Sequence, residues 1–479
     1  MSLFLLWRLW RSRGAHSGSD RRRPQLLRRE QPRLAFQPLE NRRLLSAAPL
    51  GAEFQVNTFT AGNQGWARVA SDGDGDFVVV WESQDQDGDS SGIFAQRFNA
   101  SGVPQGNEFR VNSVTADAQT LPGVAMNDDG DFVIAWSSAV NSTWRTSARR
   151  YDSAGVPQGD EFQIPGSYFD PSVAMDADGD CVIAWQSYEG GSWGVSAQRY
   201  DQTGASVGER IRANTSPAYI NAGPSVAMTA DGDFVIAWTS LDDGSGLGIA
   251  ARRYDAAGVP QADQFRASTS TSGDQENAAV AMHDDGGFIV TWTSVFEFPG
   301  AIYAQAYDAA GMPLGDELAV TPVSPTAKGD PRVAINADGE FVVAWYGSEA
   351  NSLGVYARFY DPDRLPRGAI VRVNTLEAGH QYRPDVAMLG GEDFVVIWQS
   401  QDQDSSGDAI IAQRMRAHLI VRNTQDSGPS SLRQAIELAN TQAGPDVIAF
   451  NIPTTDPGFI DIDSGVTGGD AAPDVVVIS

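Results

Sequence analysis

The sequence predicts an all-β fold, a seven-bladed β-propeller, on three observations. The first is a repeat. Asp76-Phe77-Val78-Val79-Val80-Trp81 returns as Asp131–Trp136, Asp180–Trp185, Asp233–Trp238, Gly287–Trp292, Glu340–Trp345 and Asp393–Trp398, with the tryptophans 55, 49, 53, 54, 53 and 53 residues apart. Near-equal periods of this length mark a repeat architecture. The second is the pattern inside each copy. Phe77, Val79 and Trp81 point one way and Val78 and Val80 the other, so the strand must be covered on both faces. Stacking blades face to face supplies that cover. The third is an offset. The seventh repeat stops after Ala412-Gln413-Arg414-Met415 without a fourth strand of the usual kind, while a spare one, Glu53-Phe54-Gln55-Val56-Asn57, precedes the first repeat. The N-terminal strand would then complete the last blade and fasten the ring. A chain of small β-sandwiches is the alternative, but an open array has no use for the offset.

Each repeat over residues 51–416 reads as four antiparallel strands, the pattern of a propeller blade. A short strand such as Val124-Ala125-Met126 comes first and the Trp-ending strand second. The third holds one alanine in every copy (Ala95, Ala148, Ala197, Ala251, Ala304, Ala357 and Ala412), and the fourth is an edge strand such as Glu108–Asn112. The constant alanine lets neighbouring sheets approach closely. The first connection is a tight acidic hairpin, as in Asn127-Asp128-Asp129-Gly130, where Gly supplies the positive φ of the turn. The third connection is also regular, as in Asp152-Ser153-Ala154-Gly155-Val156-Pro157. The second and fourth vary, and in such a blade they emerge together on one face. That face is the expected binding surface.

Charge is unevenly placed. The formal net charge is −27, from 34 basic and 61 acidic residues. Residues 1–50 hold eleven arginines against Asp20, Glu30 and Glu40, a balance of +8, which leaves about −35 for the remainder. An acidic body argues against nucleic acid and anionic membrane surfaces. No apolar run approaches the roughly 18 residues that span a bilayer. The leader reads as basic and largely disordered. Within it, Leu39-Glu40, Arg42 and Leu44-Leu45, followed by Ser46-Ala47, resemble the LEPR-XLL region of very large exported bacterial proteins. The match departs at Asn41, where the family's pattern has proline. The resemblance implies sorting out of the cytoplasm, to a secreted or cell-surface location.

The pattern changes in residues 417–479. Ser430–Asn440 reads as a short amphipathic helix and Asp446–Asn451 as a strand. Asp426-Ser427-Gly428-Pro429 followed by Ser431–Ile436 resembles the opening of right-handed β-helix regions in secreted bacterial surface proteins. The resemblance implies a β-helix domain that begins here and continues beyond Ser479.

Catalysis finds little support. The four histidines, His16, His283, His380 and His418, do not recur with a carboxylate or serine at useful spacing. Propeller sialidases carry a box, Ser-x-Asp-x-Gly-x-Thr-Trp, that these repeats fail to match, because Gly130 lies six residues before Trp136. The one cysteine, Cys181, stands where most repeats have phenylalanine and reads as a buried apolar thiol. Carboxylates are the better candidates. Asp72, Asp74 and Asp76 alternate in a hairpin, where turn chemistry accounts for them. Asp85, Asp87 and Asp89 alternate in the second connection of repeat one. That connection and its counterpart in repeat seven each span 14 residues from Trp to alanine, against 12 or 13 elsewhere, and both begin Ser-Gln-Asp-Gln-Asp. Ring closure makes the two loops neighbours. Asp85, Asp87, Asp89, Asp402, Asp404 and Asp408 are therefore expected to crowd one seam and to bind Ca²⁺, a cation that takes six to eight oxygens. The function expected is an extracellular binding or adhesion module, monomeric, with a protein or polysaccharide ligand. The alternatives are a secreted enzyme acting on polysaccharide, with catalysis beyond Ser479, and a structural spacer.

Overall fold

In the computed structural model of the chain, residues 47–421 and 448–450 are described, except 142, 167, 216–220, 242–245, 271, 296–299, 323–327, 350–351, 405 and 418. Seven antiparallel sheets follow one another around a ring. Blade one shows the plan: an inner strand Gln64–Ser71, the Trp strand Phe77–Gln84, a third strand Ser91–Phe98 and an outer pair Phe109–Arg110. The seven tryptophans are among the most deeply buried side chains, and the constant alanines are buried beside them. Each Trp strand packs on both faces. Phe77, Val79 and Trp81 meet Val395 and Ile397 of blade seven, while Val78 and Val80 meet Phe132, Ile134 and Trp136 of blade two.

The outer strand is shorter than its sequence suggests because a side chain replaces part of the ladder. In blade one only Phe109 and Arg110 pair in register. Val111 N–H then reaches Ile93 O at 2.8 Å, and Ile93 N–H donates to Asn112 Oδ1 at 2.8 Å. Asn214, Ser268, Thr321 and Asn374 accept the same bond in blades three to six.

The ring closes as the offset requires. Phe54 and Gln55 pair with Ala412 and Ile411 of blade seven, and Asn57 Oδ1 accepts from Ile410 N–H at 2.8 Å, the same capping bond again. The latches between blades run through this strand in both directions. Glu53 accepts from Thr375 N–H of blade six, and Thr58 N–H donates to Glu108 of blade one. A further strand, Ala47–Pro49, pairs with Met415–Ala417 and extends the sheet into the stretch read as leader. The LEPR-XLL-like residues before Ala47 and the expected helix at 430–440 lie outside the described residues. Among the described residues there is no β-helix; Leu419–Val421 and Ile448–Phe450 pair in parallel.

Cys181 is buried, and burial pushes its thiol up to about 12. In five other blades a phenylalanine at this position stacks on the third-strand aromatic, as Phe132 does on Tyr151 at 4.9 Å. Here Arg150 fills the space, donating to Gly179 O at 2.6 Å and to the thiol at 3.6 Å.

On the hairpin face, one guanidinium holds blades six and seven together. Arg367 reaches Glu340 at 2.5 Å and Glu392 at 2.6 Å, all three being nearly buried. Burial, only partly offset by Arg367, pushes the Glu392 carboxyl from 4.5 up to about 7. An acid with a raised folded-state pKa keeps its proton longer in the folded chain than in the unfolded one. Stability therefore falls as pH rises from about 4.5 to about 7, and the loss is complete above that window. Glu392→Gln is expected to remove this slope and to be more stable than the parent at about pH 8, by up to about 3 kcal/mol, with little difference at about pH 4.5. Melting curves across the range check it; parallel profiles for the two proteins would refute it.

Candidate ligand-binding site at the channel mouth

The inner strands share a break that positions the site. In blade one the register shifts between Gly65 and Arg68, and in blade seven between Tyr382 and Asp385. At the equivalent point every inner strand carries a residue with positive φ: Trp66, Leu121, Asp170, Gly223, Asn277, Asp330 and Arg383, at +48° to +59°. Proline follows in five blades, as Pro122, Pro171, Pro224, Pro331 and Pro384. A bulge leaves one backbone N–H without a ladder partner, which is where proline is tolerated. The bulge also re-aims side chains, and here it turns a ring of them around the axis.

That ring, Leu121 excepted, and the residues two positions on line an axial cavity of about 220 Å³, to which all seven inner strands contribute. The cavity is lopsided. Blades two, four and five present the uncharged Gly123, Val124, Gly223, Ser225, Asn277 and Ala279, whereas blades six, seven and one present Asp330, Arg332, Arg383, Asp385, Trp66 and Arg68. Asp385 accepts from Val69 N–H at 3.0 Å and lies 3.9 Å from Arg332. Burial, and then repulsion from Arg332, brings the Arg68 guanidinium down to about 10. Across the axis, burial pushes the Asp170 carboxyl up, against the pull of Arg68 and Arg332. Tyr346 stands near this wall, close to Asp330 and Arg383, and its hydroxyl lies 2.6 Å from where a Cβ on residue 329 would fall, so a side chain there would displace it.

A second cavity of about 390 Å³ opens beside the first at the seam of blades one and seven, sharing Trp66 and Arg383. The Arg383 guanidinium sits 3.6 Å from the centre of the Trp66 ring, a cation–π contact, and donates to Gln399 at 3.2 Å. Gln399 Nε2 donates in turn to Asp408 at 2.8 Å, and so does the Tyr382 hydroxyl. Glu82 lies on the opposite wall, pushed up by burial and held by a bond from Thr120. Guanidinium donors, carboxylate acceptors and an indole thus converge at one mouth, on the face of the variable connections.

No family model matches the chain, and no curated protein matches it. Solved propeller structures match it distantly. A protein of unknown function from Dyadobacter fermentans aligns over 78% of this chain and 100% of its own, at 10% identity and a TM-score of 0.47. The β-propeller domain of the trilobed protease from Pyrococcus furiosus aligns over 72% and 93%, at 11% identity and 0.43. A polysaccharide lyase of family PL25, an ulvan lyase, aligns over 75% and 95%, at 9% identity and 0.49.

The seam expected to hold calcium exists, but its aspartates diverge. Asp85 and Asp408 line the same cavity. Asp87 instead accepts from Asn112 Nδ2 of its own blade at 2.8 Å, and Asp89 from Asp117 N–H, in the connection to blade two, at 3.2 Å. Asp402 N–H closes its own loop on Gly407 O at 2.7 Å. Asp404 accepts from Ser406 N–H at 3.1 Å. Among the described residues, no three His, Cys, Asp or Glu side chains are grouped to hold a metal ion. The hairpin carboxylates are turn chemistry. Asp72 accepts from Asp76 N–H at 2.9 Å, and Asp76 from Ala100 N–H at 2.9 Å. The sequence reading missed the ring residues themselves. Their signal was available: positions that vary within a constant frame, flagged by a proline in five copies.

Proposed function

We propose that this chain is a saccharide-binding module of a secreted or cell-surface protein, with the ligand held at the axial mouth. One observation carries the reading: a cavity reached by all seven inner strands combines Arg68, Arg332 and Arg383 with Asp170, Asp330 and Asp385 around the Trp66 indole. Sugar hydroxyls both donate and accept, so a wall of fixed donors and acceptors suits them. The weakly positive C–H faces of the ring suit an indole, whose face is negative. The backbone supports the same reading. Trp66 and Arg383 adopt a positive φ that costs such residues about 1–3 kcal/mol, and both line the mouth. The exported setting follows the LEPR-XLL-like leader. The parallel pairing of Leu419–Val421 with Ile448–Phe450 suits the start of a β-helix coil. Calcium has no part in this reading.

Binding to immobilised polysaccharides tests it. The parent is expected to bind at least one, and the Trp66→Ala, Arg383→Ala double variant to lose roughly tenfold or more in affinity, about 1.4 kcal/mol or more. Val156→Ser, in an exposed connection of the opposite face, should bind as the parent does. Undiminished binding by the double variant would place the ligand elsewhere. An enzyme acting on the same ligand is the second reading, and one observation favours it: Asp170 holds its proton above the ordinary carboxylate range beside Arg68 and Arg332, as a general acid would. Reducing ends released from a bound polysaccharide would establish it; binding without release leaves the module non-catalytic.

A further inference from the structure

Aromatic side chains lead away from the mouth along blades two and three. Phe169 directly precedes Asp170 of the ring. It meets the Trp144 ring edge-on, with centroids 5.2 Å apart. Its other neighbour in sequence, Tyr168, meets Trp193 edge-on at 5.2 Å, and Trp193 meets Tyr188 at 4.9 Å. The pair of Phe169 and Trp144 and the trio of Tyr168, Trp193 and Tyr188, joined through the backbone between residues 168 and 169, together make one stripe. It runs outward from the blade-three side of the mouth to the second connections of blades two and three. None belongs to the buried clusters between blades, and Tyr188, at the far end, is 52% exposed. Elsewhere the aromatic pairs serve the core, as Phe234 stacked on Tyr254 does. Trp144, Phe169, Tyr168 and Trp193 are half-buried and Tyr188 is exposed; aromatic rings left partly open to solvent beside a connection mark an interaction site.

The outer strand of blade three gives the stripe its charge. It runs seven residues, Ser206–Arg212, where those of the other blades run two. The extension, Ser206–Arg210, carries Arg210 to Gly166, two residues before Tyr168, while Arg212, at the place of Arg110, Arg266 and Arg372 in other blades, lies against Gly194, next to Trp193. Both pair with the single carboxylate of Glu189, at 2.5 and 3.6 Å, and both keep about two fifths of their side-chain surface exposed, 39% and 43%. Arg145, beside Trp144, is exposed as well. In a chain of net charge −27, a stripe edged by three arginines is a local reversal of sign, complementary to an anion.

We infer that the stripe is an extended subsite for an acidic polysaccharide. Successive pyranose faces stack on the rings, and carboxylates or sulfates along the polymer meet Arg145, Arg210 and Arg212. The inference rests on the mouth being a saccharide site and adds that the ligand is long and anionic. Aromatic rings suit this occupant because they are rigid and lose little freedom on binding, while the guanidinium fork matches a carboxylate or sulfate.

Titration calorimetry with polygalacturonate, dextran sulfate and uncharged dextran, and with a trisaccharide of whichever polymer binds best, tests the inference. The parent is expected to bind a charged polymer at least tenfold more tightly than dextran. The Tyr188→Ala, Trp193→Ala double variant is expected to lose tenfold or more for the polymer and nothing for the trisaccharide. Arg210→Ala with Arg212→Ala should flatten the salt dependence. Preference for polygalacturonate or for dextran sulfate tells carboxylate from sulfate. Tyr188→Ala alone, at the most exposed ring, provides a variant whose fold is not in question. Equal affinity for dextran, or a double variant that holds the polymer as the parent does, would overturn the stripe while leaving the mouth in place. Failure of the parent to bind either charged polymer would overturn the stripe, and the mouth would fall with it only if the parent also bound none of the immobilised polysaccharides. A parent that dimerises in sedimentation, with the double variant monomeric, would reassign the stripe to a second copy of the chain.

Discussion

A chain beginning at Gly62 is expected to be several kcal/mol less stable than one beginning at Gly51, and to expose the edge of blade seven. Between those two starts lies the strand that closes the ring. Its loss removes the pairing of Phe54 and Gln55 with Ala412 and Ile411. It removes the buried Val56, worth about 1.5–3 kcal/mol of apolar burial. It also strips Ile410 N–H of its bond to Asn57 Oδ1, and an unpaired buried donor costs about 1–3 kcal/mol. Phe98 of blade one loses its contact with Phe54, whose ring centroid lies 5.5 Å away. The effect therefore spreads to both sides of the seam. Chemical denaturation of the two chains measures the difference, and a peptide of residues 51–61 added to the shorter chain should restore part of it. Equal stability would mean that blade seven does not depend on the N-terminal strand.

The fold was legible because the packing between blades admits few residue types. Each tryptophan fills the space between two sheets and each alanine sets how closely they approach, so both recur at fixed places. Closure was legible for a related reason. A strand missing at one end and spare at the other is a bookkeeping fact of the repeat, and the latches through Glu53 and Thr58 realise it.

The site was harder to read, for two physical reasons. The inner strand was recognised by its Val-Ala-Met end, as in Val124–Met126, which neighbouring blades constrain. Its other half faces the channel, where no packing partner fixes the residue, and there Trp66, Asp170 and Arg383 share nothing but a position. The residue after each tryptophan behaves alike. Glu82 and Gln399 follow an invariant tryptophan and differ from one another because they face the mouth. The acidic loops show a different limit. Spacing placed Asp85 and Asp408 at one seam, as found, but spacing does not encode the direction of a loop side chain. Asp87 turns to Asn112 because the amide is within reach on the same blade.

Trp238→Ala is expected to cost about 3–5 kcal/mol, the usual range for truncating a buried aromatic. Trp238 is completely buried and packs with Val182, Ala184, Val195 and Ala197 of blade three. Those neighbours lie on a different sheet, which its own blade's ladder holds in place, so the void cannot collapse easily. The substitution also removes a bond, since the indole N–H donates to Asn221 Oδ1 at 3.0 Å. Asn221 keeps its other contacts, accepting from the Ser240 hydroxyl at 2.9 Å and donating to Trp193 O at 3.2 Å. The bond should therefore be the smaller share of the loss, about 1 kcal/mol, and the cavity the larger. Trp238→Phe separates the two, because it keeps most of the ring volume and loses the donor. The order of stability expected from denaturant midpoints is parent, then Trp238→Phe, then Trp238→Ala with the widest gap. A Trp238→Ala protein that unfolds with the parent would mean that the tryptophans do not hold neighbouring blades together.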